Sequence, residues 1–177
     1  EFEITLAAVP ETVLAGDKVT FSLDAKYYSG GNVSNASVEW FMEAQPYFYS
    51  PPEKYGRYSF DNFDYSAYYD GEGASKANPL TQDGTGVTDE QGHFELTQAA
   101  QLQKQNVSQE TSFSANVSDV GGSIVGGQVS MVTLASAVHV GINSAEYVGE
   151  KGKPTTFNLV VLDLDGKPVA KSPVSVE

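Results

Sequence analysis

The 177-residue sequence contains no cysteine. This excludes disulfide bonds, cysteine nucleophiles and cysteine-ligated metal sites. Basic residues are also scarce, because ten Lys and Arg stand against 23 Asp and Glu and give a net charge of −13. With no basic stripe to neutralise phosphates, the composition argues against a nucleic-acid-binding protein and against an anionic membrane surface as partner. Such acidity is typical of a soluble, self-repelling domain.

Long apolar runs and catalytic patterns are missing as well. The sequence contains no run of 18 apolar residues, so it predicts no transmembrane helix. The sequence starts at Glu1 without a Met, and we expect it to be a piece of a longer chain.

Nucleophilic catalysis requires a base beside a nucleophile, and only His93 and His139 are available as the base. We expect both to be strand or surface residues, with no Gly-x-Ser-x-Gly elbow in the chain. The sequence therefore predicts a protein that is not an enzyme and needs no cofactor.

The sequence does contain short segments in which apolar and polar residues alternate. Phe2, Ile4 and Leu6 begin the series, and Val19–Ala25 continues it after a predicted loop at Thr12–Asp17. A period of two residues is that of a half-buried β-strand, and the prominence of Val, Phe and Tyr favours strands over helices. The pattern predicts an all-β antiparallel sandwich. Its predicted core consists of Phe21, Leu23, Val38, Trp40, Phe94, Leu96, Phe113 and Val117.

An aromatic-rich segment interrupts this rhythm between residues 46 and 83. Half of the twenty aromatic residues lie in it, interleaved with Pro and Asp, which indicates an insertion or a long hairpin. The rings either cover their own sandwich as a satellite core or form an interface with neighbouring modules. The candidate interface residues are Tyr47, Phe48, Tyr49, Tyr55, Tyr58, Phe60, Phe63, Tyr65, Tyr68 and Tyr69.

After Ala135 the strand pattern starts again. Residues 138–142 alternate, residues 155–164 form an apolar strand, and Asp165-Gly166 predicts a turn. This weak internal repeat predicts two modules of one kind. We expect residues 1–135 to form one sandwich with the insertion at about 46–83, and residues 136–177 to form the first strands of a second. Because a partial sandwich exposes an apolar face and open edges, we expect residues 138–177 to pack against the first module or against another copy.

Three acidic groupings are candidate ligand or metal sites. The carboxylates at 61, 64, 70 and 72 lie among aromatic residues, a combination that occurs in carbohydrate-binding sites and otherwise in solvated turns. Asp163-Leu164-Asp165-Gly166 imitates the start of a calcium loop, but Val174 stands at the twelfth position, where an EF-hand requires a bidentate Glu. A hairpin turn is the favoured interpretation. Asp83 and Asp89 flank a glycine-rich stretch, which leaves a surface calcium ion as the alternative to plain turns. We expect no metal site.

Several stretches resemble one protein family. Tyr27–Trp40 looks like the hairpin between the second and third strands of a macroglobulin domain from bacterial alpha-2-macroglobulins. Pro46–Tyr49, with the aromatic residues after it, looks like the extension that these domains carry in the bacterial proteins. Thr88–Phe94 resembles the Asp-x-x-Gly-x-Phe turn before a middle strand, and Asp163–Val169 resembles the matching hairpin of the next macroglobulin domain.

This resemblance implies an immunoglobulin-like, seven-stranded antiparallel sandwich, followed by a partial second one. It implies a structural module of an extracytoplasmic protease trap, periplasmic or at the cell surface. The bait region and the thioester of that family are not in this sequence, since the thioester needs a Cys. The implied partners are neighbouring domains of the same chain, proteases through the full-length protein, and a second copy through the partial domain. The alternative is a carbohydrate- or protein-binding module of a surface adhesin or secreted enzyme.

Overall fold

A computed structural model of the chain describes residues 1–60, 80–103 and 107–175. Within these ranges the secondary structure consists of ten strands and one short 3₁₀ helix at Glu53–Tyr55. The predicted all-β sandwich class is therefore confirmed. The strands are β1 Phe2–Val9, β2 Thr12–Leu14, β3 Lys18–Tyr27, β4 Ser37–Pro46, β5 Leu80–Val87, β6 His93–Ala99, β7 Gln109–Ser118, β8 Ile124–Leu134, β9 Val138–Ser144 and β10 Phe157–Asp163.

The chain folds into two compact units. The described residues of unit 1 are 1–47, 80–103 and 107–135, and those of unit 2 are 48–60 and 136–175. The sequence placed the whole insertion in the first domain, but the structure assigns residues 48–60 to the second unit. The reason is local packing, because the rings of this segment contact strand β9. We call residues 48–60 the aromatic strap.

Unit 1 is a sandwich of two sheets. One sheet has the strand order β1-β3-β6, and the other has the order β2-β8-β7-β4-β5. All pairs are antiparallel except β2 with β8. Phe21 of the first sheet stacks on Phe113 of the second with ring centroids 4.7 Å apart, so the two sheets share one core.

Two strands of unit 1 were not predicted. Thr12–Leu14 was expected to be a loop, but it forms the three-residue strand β2 beside the C-terminal end of β8. Leu80–Val87 was expected to belong partly to the insertion, but it forms edge strand β5 along β4. Gly84 and Gly86 of this strand weaken the sequence pattern by which a strand is recognised. They lie where a Cβ at Gly84 would overlap the Trp40 indole and a Cβ at Gly86 would overlap the Phe94 ring.

The core of unit 1 lies between the two sheets. Most of its large side chains come from alternate positions of β3, β4 and β7, as a strand period of two requires. Of the eight predicted core residues, Phe21, Leu23, Val38, Phe113 and Val117 are fully buried. The other three, Trp40, Phe94 and Leu96, are partly buried and pack against that cluster.

Unit 2 contains the antiparallel pair of β9 and β10. Val169 donates a backbone hydrogen bond to Val161, so residues 167–169 extend the sheet by a short third segment beside the end of β10. On the opposite side, Ser59 of the strap forms a β-bridge with Ile142 of β9. In the described part of the chain there is no helix long and apolar enough to cross a membrane.

Candidate interaction surface

The aromatic strap packs against one face of the β9–β10 sheet. The Tyr49 ring stacks on the His139 imidazole with centroids 3.6 Å apart and planes 9° from parallel. Phe60 meets Tyr49 edge to face at 5.3 Å and lies over Gly141, where a Cβ would be only 2.6 Å from its ring. Because His139 and Gly141 are two residues apart on β9, they point to the same face. We call this side the strap face.

Polar contacts fix the strap as well. The backbone N–H of Ser59 donates to Ile142 at 2.8 Å, and that of Ile142 donates back at 2.9 Å. The Asn143 side-chain amide donates to the backbone carbonyl of Arg57 at 2.8 Å. Pro52 lies against Gly166, so that a Cβ at that glycine would approach the proline ring within 2.6 Å. The strap is thus held by two backbone bonds, one side-chain bond and close ring contacts.

The remaining candidate interface residues divide into three groups. Tyr55 and Tyr58 meet edge to face at 6.2 Å, and the Lys54 ammonium lies 4.8 Å from the Tyr55 ring. Phe48 is half-exposed, while Tyr47 belongs to unit 1 and donates its backbone N–H to Ser108. Four further predicted residues lie outside the described residues: Phe63, Tyr65, Tyr68 and Tyr69.

The opposite face of the β9–β10 sheet is apolar and exposed, and we call it the open face. Register places the paired residues Ile142 and Leu159 on this side, together with Val140 and Phe157. All four count among the exposed large hydrophobic residues, and Phe157 retains 60% of its accessible surface. These side chains form an exposed apolar stripe on this side of the sheet.

The two histidines have opposite environments. Burial lowers the pKa of His139, because the strap shields its ring from water. In unit 1, the Nδ1 of His93 lies 3.1 Å from the Asp24 carboxylate and its Nε2 lies 3.7 Å from that of Glu95. The hydrogen bond to Asp24 raises the pKa of His93. His93 is therefore part of a surface ion-pair cluster on β3 and β6, and His139 is part of a stacking contact.

Three turns share one geometry: two begin at the acidic candidates Asp89 and Asp163, and the third begins at Asp119, which was not a candidate. In each, the Oδ1 of an Asp accepts the backbone N–H of the residue four positions later, at 2.8 Å for Asp89, 2.9 Å for Asp119 and 2.8 Å for Asp163. A glycine with positive φ stands three positions after each Asp: 76° at Gly92, 81° at Gly122 and 74° at Gly166.

These carboxylates accept hydrogen bonds from backbone N–H groups of their own turns, as in Asx turns. Within the described ranges no group of three or more potential metal ligands occurs. Asp83 lies on β5 and faces Phe41 across the ladder. The candidate carbohydrate-binding carboxylates at 61, 64, 70 and 72 lie outside the described residues.

A small cavity lies between the sheets of unit 1 where β3, β4 and β8 approach Gln109. It measures about 30 Å³ and is lined by both methionines, Met42 and Met131, and by Gln98 and Gln109. Gln109 bridges it by donating to the Gln101 carbonyl at 2.5 Å and accepting the Gln103 N–H at 2.9 Å. This volume accommodates about one water molecule, so it holds no organic ligand.

No family model and no curated protein matches the sequence. Solved structures do match. Escherichia coli alpha-2-macroglobulin in its native conformation superposes with a TM-score of 0.65 at 15% identity, over 94% of this chain and 11% of that protein. Salmonella alpha-2-macroglobulin reacted with methylamine superposes with a TM-score of 0.65 at 16% identity, again over 94% of this chain and 11% of that protein. The E. coli protein activated by porcine elastase superposes with a TM-score of 0.61 at 17% identity, over 92% of this chain and 14% of that protein.

The chain thus spans only 11% to 14% of the length of these proteins. At such low identity the likeness establishes the fold. It extends over 92% to 94% of this chain. The chain has a macroglobulin-like, all-β sandwich fold.

Proposed function

We propose that the chain is a non-catalytic structural module of a bacterial, extracytoplasmic protease inhibitor of the alpha-2-macroglobulin type. The observation that carries this proposal is the structural likeness over 94% of the chain, at a TM-score of 0.65, to alpha-2-macroglobulins from two bacteria. Its role is to position other domains of the same chain and to supply interfaces between them. Proteases are its partners only through the full-length protein.

The construction of unit 2 supports a scaffold role. This unit is built from two separated segments, 48–60 and 136–175, and the first of them leaves unit 1 between β4 and β5. The strap supplies Tyr49 and Phe60 to a sheet whose first strand begins only at Val138. Unit 2 is therefore built from a segment that precedes β5 and from residues that follow β8, which suits a module that fixes geometry.

The test is to express the full product of the gene and incubate it with trypsin or elastase. Under the proposal, it protects a large protein substrate from cleavage. Tyr49→Ala weakens the protection, because the strap face of unit 2 loses its main ring contact. The matched control is Tyr28→Ala, which removes an exposed ring of unit 1 and leaves protection unchanged.

Two results would contradict the proposal. One is a full-length product that leaves both proteases uninhibited. The other is saturable binding of the isolated 177-residue chain to a glycan array that Tyr49→Ala, Tyr55→Ala or Tyr58→Ala abolishes, since this would indicate a carbohydrate-binding module.

A further inference from the structure

We draw no further inference here: the strongest candidate, the outer face of the five-stranded sheet of unit 1, where the half-exposed ring of Phe41 lies among the carboxylates of Glu39, Glu43 and Asp83, is an acidic cluster on an exposed sheet face, and nothing in the structure shows what covers it.

Discussion

The rings of Tyr49 and His139 stack 3.6 Å apart, although 90 positions separate the two residues in the sequence. Tyr49 follows the last strand residue of β4 by three positions, and His139 lies on β9. The contact assigns the start of the aromatic insertion to unit 2, and it covers a histidine that would otherwise be solvated. It links a local sequence feature, the Pro- and Tyr-rich segment after β4, to the packing of a distant strand pair.

Removing the Tyr49 ring is expected to destabilise unit 2 selectively. Tyr49→Ala deletes the stack on His139 and the edge contact to Phe60, which we expect to lower the stability of the β9–β10 sheet by about 2 kcal/mol. Amide hydrogen exchange provides the measurement: amides of β9 and β10 exchange faster, while those of β7 do not change. Equal acceleration in both units would contradict the assignment of the strap to unit 2.

Acidification is expected to weaken the strap contact through His139. Burial lowers the pKa of this residue below its ordinary value of 6.5 in the folded chain. The stability it contributes is therefore fully present above pH 6.5 and is lost as the pH falls through the lowered pKa, because the unfolded chain takes up the proton first. Thermal unfolding of unit 2 between about pH 7 and 5 checks this. In His139→Phe, which keeps a stacking ring, the dependence disappears.

His93 is expected to show the opposite dependence. Its hydrogen bond to Asp24 raises its pKa, with Glu95 and Asp89 acting in the same direction. Its contribution to the stability of unit 1 is thus present below pH 6.5 and is lost as the pH rises through the raised pKa. Proton NMR can follow the titration of each histidine separately, since the chain has only two histidines. One midpoint should lie above 6.5 and one below, and Asp24→Asn should lower only the upper one.

The sequence allowed the sandwich to be predicted more fully than the strap. The alternation of apolar and polar residues predicted the strands around Phe21 and Phe113, because burial of one strand face imposes a period of two residues. The strap contacts were not predictable, since Tyr49 has no periodic relation to His139 and neither residue type specifies a partner. β5 was missed because Gly84 and Gly86 replace the β-branched residues that mark a strand. The shared geometry of the three Asp turns was not predictable either, since Asp119 lies in a sequence, Asp-Val-Gly-Gly, with two candidate turn glycines.

The Asp turns offer a matched set of substitutions. The Oδ1 of Asp89 accepts the backbone N–H groups of Gln91 and His93, both at 2.8 Å. We expect Asp89→Ala to cost unit 1 about 1–2 kcal/mol, because two turn donors lose their acceptor. Asp89→Asn retains an acceptor oxygen and should cost less, and Glu90→Ala, one position later, should be neutral. Chemical denaturation measures the free energy of unfolding of the three variants and thus ranks them. A loss with Glu90→Ala as large as with Asp89→Ala would count against the turn's role.

The glycines of β5 are expected to be required by the rings that cover them. A Cβ at Gly84 would overlap the Trp40 indole, and one at Gly86 would overlap the Phe94 ring, which packs against the core. We expect Gly84→Ala and Gly86→Ala each to lower the stability of unit 1 by about 1–3 kcal/mol, since the rings must shift within a packed layer. Thr85→Ala, between them on the opposite face and exposed, is the control and should change stability little. Trp40 is the only tryptophan, so its fluorescence reports the displacement directly. An unchanged emission spectrum in Gly84→Ala, together with unchanged stability, would show that the indole does not occupy the space above this glycine.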